Sequence, residues 1–118
     1  MLSEAIKAGA TERRSFAPGE AVFNEGDDGA EMFGVLSGRV ELRRGDKVLT
    51  SVGPDGTFGE MAIVERSPRS LTAVAAEPTE VAVIDRHRFL FLVHETPMFA
   101  IEVMRALAAR IHELNSAR

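Results

Sequence analysis

Gly59, Glu60, Arg69 and Ser70 are the residues of this 118-residue chain whose types and spacing suit a definite chemistry. Phe58 favours a strand and Glu60 to Val64 are good helix formers, so the segment is expected to leave a strand and enter one short helical turn. Such a turn begins with backbone N–H groups that lack an intrahelical partner, and a glycine ahead of it lets an anion come close. The backbone from Gly59 to Ala62 is therefore the expected anion donor. Arg69 follows nine residues after Glu60, with Pro68 fixing the chain direction before it and the Ser70 hydroxyl after it. A guanidinium folded back over the turn presents a planar fork that suits two phosphate oxygens. Glu60 would repel a phosphate unless it had a donor of its own to receive, and a sugar hydroxyl is such a donor. Together these residues describe a nucleotide whose phosphate and sugar are held close to each other.

The elements that must position this segment are legible in the punctuation around it. Short apolar-alternating runs are broken by turn chemistry at Pro18-Gly19, Glu25 to Gly29, Ser37-Gly38, Gly45-Asp46 and Gly53 to Gly56. Regular glycine corners predict an antiparallel all-β body, a barrel, jelly roll or related roll. Its expected strands are Arg13-Ala17, Ala21-Asn24, Glu31-Ser37, Gly38-Arg44, Lys47-Val52, Ser70-Ala76 and Glu80-Asp85. Leu2 to Gly9 reads as a short helix capped by Ser3. After Asp85 the period becomes helical: Asp85 or Arg86 opens a helix through His94, and Thr96 caps a second with Pro97 at its first position. Ala100, Met104, Leu107, Ile111 and Leu114 then form one apolar stripe, which must pack on the roll or form a parallel seam with a second copy. The expected fold is thus mainly β with flanking helices: an antiparallel β-roll or jelly roll over 11–85, a helix in 1–10 and two helices in 86–118.

Composition narrows the function classes. The length is that of one domain, and the hydrophobic fraction of 45% with 27% charged residues is ordinary for a globular chain. The net charge is −4, with basic residues scattered along the chain, which speaks against a nucleic-acid footprint. No apolar run is long enough to span a membrane, and the N-terminus lacks a basic segment followed by an apolar one, so a cytoplasmic location without membrane insertion is expected. There is no cysteine, and His87, His94 and His112 lack ligand-like spacing, so no metal centre or cofactor is expected.

The segment FGEMAIVERSPRSLTA, starting at Phe58, resembles the phosphate-binding cassette of the cyclic nucleotide-binding domain family: F-G-E-[LIM]-A, a short spacer, then P-R-[AST]-x-[TS]. Each signature position is filled. The flanks FAPGE from Phe16, NEGD from Asn24 and FGVLSGRV from Phe33 are similar to the family's glycine-marked opening strands, so the resemblance covers essentially the whole chain, 1–118, with the cassette at 58–72. It implies that Gly59 and Ala62 present amides, Glu60 receives the ribose 2′-hydroxyl, Arg69 pairs with the cyclic phosphate and Ser70 bonds the phosphate or the base. Val35, Met61, Leu71 and Ala73 are the implied apolar contacts of the base, with Arg110 capping it from the last helix and Asn115 in reserve. Phe58 and Pro68 complete the implied ligand-binding set. Similar family members with serine at the position of Ser70 still bind cyclic AMP, so cyclic AMP is the favoured ligand and cyclic GMP a tolerated one.

Binding without turnover is the expected activity, because nothing near the cassette offers an activated nucleophile, a partnered general base or a metal. A phosphodiesterase would want several His and Asp ligands. A cupin-like metalloenzyme would place histidines on strands, whereas all three here fall in the helical tail. The remaining alternative keeps the fold and drops the ligand, leaving a degenerate scaffold for protein interaction. Signalling is expected to run through the C-terminal helix to a protein partner, a second copy or an attached output domain. Met1 and the capped first helix lean towards a complete small protein over an excised domain.

Overall fold

The computed structural model describes residues 12–116, with the side chains of Leu114 and Ser116 excepted. The helix expected over Leu2–Gly9 lies outside the described residues. Eight strands follow one another as β1 (Glu12–Phe16), β2 (Ala21–Phe23), β3 (Glu31–Ser37), β4 (Val40–Arg44), β5 (Lys47–Val52), β6 (Thr57–Phe58), β7 (Thr72–Ala75) and β8 (Thr79–Asp85). A single-turn helix, α1 (Met61–Val64), interrupts them between β6 and β7, and α2 (Arg86–Glu95) and α3 (Met98–Ser116) close the chain.

The strands form two antiparallel four-stranded sheets, ordered β1-β8-β3-β6 and β2-β7-β4-β5. Side-chain alternation explains why β3 and β8 read as nearly unbroken apolar runs. Phe33, Val35, Val81 and Val83 point between the sheets, where they meet Val40, Leu42, Val52, Phe58 and Ala73. Met32, Ala82 and Ile84 point the other way and meet Ile63, Leu92, Phe99 and Val103 beneath the helices. Strands covered on both faces have no face to spare for polar residues, whereas β1 at the edge of the same sheet is polar and exposed.

The C-terminal helices are anchored at their starts. Asp85 Oδ1 accepts from the Arg88 amide at 2.7 Å and caps α2, as the sequence suggests. Arg86 Nη1 donates to the Ile63 carbonyl at 2.7 Å, tying the start of α2 to the end of α1. The turn into α3 forms through backbone bonds, Phe99 N to the Thr96 carbonyl at 2.8 Å and Ala100 N to that of Pro97 at 3.1 Å.

The rotation of α3 differs from the expected stripe. Phe99 and Val103 are the buried residues and Leu107 is half-buried, while Met104 and Ile111 are 55% and 57% exposed. The helix carries two neighbouring apolar stripes, and periodicity does not choose between them. The choice falls to packing: Phe99 meets Phe89 of α2 edge-on at 5.7 Å, and the same face carries Arg110 towards the roll. The side chain of Leu114, the last residue of the expected stripe, is not described.

Candidate ligand-binding site

Between the β2-β7-β4-β5 sheet, α1 and α3 lies a cavity of about 320 Å³. Gly59, Glu60, Met61, Ala62, Pro68, Arg69, Ser70, Leu71 and Arg110, all singled out from the sequence, line it. Phe58, Val35, Ala73 and Asn115 do not. Phe58 is fully buried and stacks on Phe33 at 5.2 Å, so it supports the wall from behind. Val35 and Ala73 are also fully buried, their side chains used up in the inter-sheet core, and they are corrected from base contacts to core residues. Asn115 is exposed on α3.

Arg69 is the polar centre of the cavity. It is 8% exposed, and its Nε has no hydrogen-bond partner among the described residues. Nη1 donates to the Gly59 carbonyl at a long 3.3 Å, and the guanidinium carbon sits 4.2 Å from the Phe23 ring centre and 5.6 Å from that of Phe33. Burial pushes its pKa below the ordinary arginine value, and the nearby carboxylates of Glu31 and Asp27 pull the other way. A guanidinium does not deprotonate in proteins, so this is a buried cation with donors to spare. Such a group is costly unless an anion meets it.

The backbone that presents Arg69 is braced by the loop after β2. Arg69 N donates to the Asp27 carbonyl at 2.9 Å, Gly26 N donates to the Arg69 carbonyl at 2.8 Å, and Glu25 N donates to Thr72 Oγ1 at 2.9 Å. Gly29 makes room for the guanidinium, because a Cβ there would lie 2.5 Å from Arg69 Nη2. Gly59, at φ +79°, turns the chain from β6 into α1 in a conformation that L side chains rarely adopt. The Ala62 amide donates to the Gly59 carbonyl at 3.3 Å, so within that turn it already has a weak partner.

Glu60 is 2% exposed and held from two sides. Thr57 Oγ1 donates to Glu60 Oε2 at 2.8 Å, and Arg110 Nη1 donates to Oε1 at 3.0 Å. Arg110 Nη2 also donates to the Thr57 carbonyl at 2.7 Å. Arg110 therefore lines the cavity while its guanidinium is engaged with the carboxylate and the Thr57 carbonyl. Each carboxylate oxygen has two lone pairs, so Glu60 keeps capacity for a further donor from the cavity. Thr57 carries no signal in the sequence beyond standing three residues before Glu60. Phe23, Leu42, Arg44 and Ser67 line the cavity too and were read there only as strand or spacer residues. Leu107 and Ile111 complete the wall from α3.

The cavity thus offers a buried cation and a glycine-opened turn at one place, a braced carboxylate beside them and apolar walls beyond. The family model for the cyclic nucleotide-binding domain matches residues 13–96. The chain belongs to that family. The cyclic AMP receptor protein of Thermus thermophilus is 35% identical over 86% of this chain and 50% of its own length. The crystal structure of the catabolite activator protein from Thermus thermophilus superposes with a TM-score of 0.78 at 30% identity, covering 97% of this chain and 57% of that one. A structure described under a cyclic-GMP-dependent signalling pathway in bacterial phytopathogenesis gives a TM-score of 0.75 at 28% identity, covering 92% of this chain and 90% of that one. The chain spans about half the length, or less, of the curated relatives it matches. Cyclic nucleotide binding and a regulatory role are the family's shared attributes, and this domain keeps the mainly antiparallel β architecture with C-terminal helices. Among the described residues no cluster of His, Asp or Glu could hold a metal ion, and no helix is long and apolar enough to cross a membrane.

Proposed function

We propose that residues 1–118 act as one unit that binds a cyclic nucleotide without turning it over, with cyclic AMP favoured and cyclic GMP admitted. Arg69 pairs with the cyclic phosphate beside the turn at Gly59–Ala62, Ser70 adds a hydroxyl, and Glu60 receives the ribose 2′-hydroxyl. The base lies against Met61, Leu71 and Leu42 on the roll and Leu107 on α3. The observation that carries this reading is that Arg69, buried and with an unpartnered Nε, lines a cavity that Glu60 also lines. The degenerate scaffold gives no account of that arrangement, since a buried cation without an ion-paired anion destabilises the fold.

Signal output follows from the bond between Arg110 and Glu60. The ribose acceptor and α3 are one hydrogen-bonded unit, so occupancy at the sugar biases the position of the helix. A cytoplasmic setting, with a second copy or a protein partner meeting the exposed Met104 and Ile111, completes the proposal. Thermal unfolding with saturating nucleotide tests it. Cyclic AMP at about 100 times its Kd should add about 2.7 kcal/mol of stability, whereas 5′-AMP, which lacks the closed ring, should add far less. Equal melting temperatures with and without cyclic AMP and cyclic GMP would rule the reading out.

A further inference from the structure

The charged groups of the cavity have assigned partners in the reading above, on which this inference rests, with one exception. Arg44 is the last residue of β4, where alternation puts Val40, Leu42 and Arg44 on the same face. Val40 and Leu42 are buried in the inter-sheet core, and Arg44 is the point at which that face emerges and joins the cavity wall. The β4–β7 register pairs Leu42 with Ala73 and Arg43 with Thr72, so one further step brings Arg44 alongside Leu71. Arg44 is exposed, and its side chain has neither an ion pair nor a hydrogen bond among the described residues. Its neighbour Arg43, on the opposite face, is bonded to Glu41 at 3.1 Å through Nε. A free guanidinium therefore stands at the apolar part of the cavity, next to Leu42 and Leu71, while Arg69 and Arg110 are committed elsewhere.

We infer that Arg44 is a specificity-determining residue that reads the edge of the base and sets how well cyclic GMP is admitted. A guanidinium donates and never accepts. Guanine shows it two adjacent acceptors, O6 and N7, whereas adenine shows N7 beside the N6 amino donor. Arg44 can thus make two bonds to guanine and one to adenine. Its position at the exposed rim puts the effect at the low end of the range for such pairs, about 5- to 20-fold in affinity.

The test measures the affinities of cyclic AMP, cyclic GMP and cyclic IMP for the wild type, Arg44→Ala and Arg44→Lys. Cyclic IMP carries O6 and N7 without the guanine amino group. Arg44→Ala should weaken cyclic GMP and cyclic IMP by about 5- to 20-fold and leave cyclic AMP within about twofold, with Arg44→Lys in between. An equal loss for all three nucleotides would make Arg44 a general attractor of phosphate and overturn the inference. Unchanged affinities for all three would make it a solvated arginine and overturn it as well. In both cases the wild type still binds, so the site reading survives; no binding by the wild type would sink both.

Discussion

A buried arginine held by a long bond to one carbonyl and by two aromatic rings keeps a guanidinium donor that no described residue satisfies. Two substitutions near it separate positioning from folding. Gly29→Ala puts a Cβ 2.5 Å from Arg69 Nη2, and the guanidinium must shift from its place. Loss of one hydrogen bond to a charged group corresponds to about 10- to 100-fold in nucleotide affinity, measured by titration, with a smaller effect on the melting temperature. Arg110→Ala does the reverse. It leaves the carboxylate of Glu60 buried with only the Thr57 hydroxyl, and should cost about 3 kcal/mol of stability in denaturant unfolding. A change under about 0.5 kcal/mol would mean that the pair carries no structural weight. At this scale Gly59, Glu60, Arg69 and Ser70 were legible in the sequence because their types are rare in such an order. Gly29, Thr57 and Phe23 were not, because each acts only through a neighbour that the fold brings to it.

Among the elements, the strands were the most legible, since glycine corners and alternation report locally on chain direction and face. The departures came where a face had to be chosen. The family resemblance implies Val35 and Ala73 as base contacts, but each lies on the side of its strand that fills the core. The stripe on α3 was set one position off, because Phe99 and Val103 form an equally regular apolar row and only contact with Phe89, Leu92 and Ile84 decides between the two. Phe99 is the anchor of α3, at 1% exposure. Phe99→Ala should lower stability by about 3–5 kcal/mol and open the segment 86–97 to limited proteolysis. Saturating cyclic AMP should slow that cleavage in the wild type. Cleavage at one rate with and without ligand would show that α3 does not report on the site.

At the scale of the whole molecule, the roll and the tail divide the work. Two sheets with a shared core fix the backbone that carries Glu60 and Arg69, and α3, which closes the cavity from outside, carries an exposed apolar face. Met104 and Ile111 on α3, with Met61 on α1 at 42% exposure, are large apolar side chains open to solvent. Self-association through this face predicts a concentration-dependent sedimentation coefficient that Met104→Lys abolishes while the melting temperature holds. A wild type that stays monomeric at high concentration would assign the face to another protein.

If Arg69 is buried to meet a cyclic phosphate, calorimetric titration of cyclic AMP and cyclic GMP into the wild type and Arg69→Ala separates the two proteins. Removing one member of a desolvated charge pair costs about 2–5 kcal/mol, or about 30-fold to several thousand-fold in affinity. Saturable heat is expected with the wild type, and a collapse of that size in the mutant. Heat of equal affinity in both proteins, or none with either nucleotide, would contradict it.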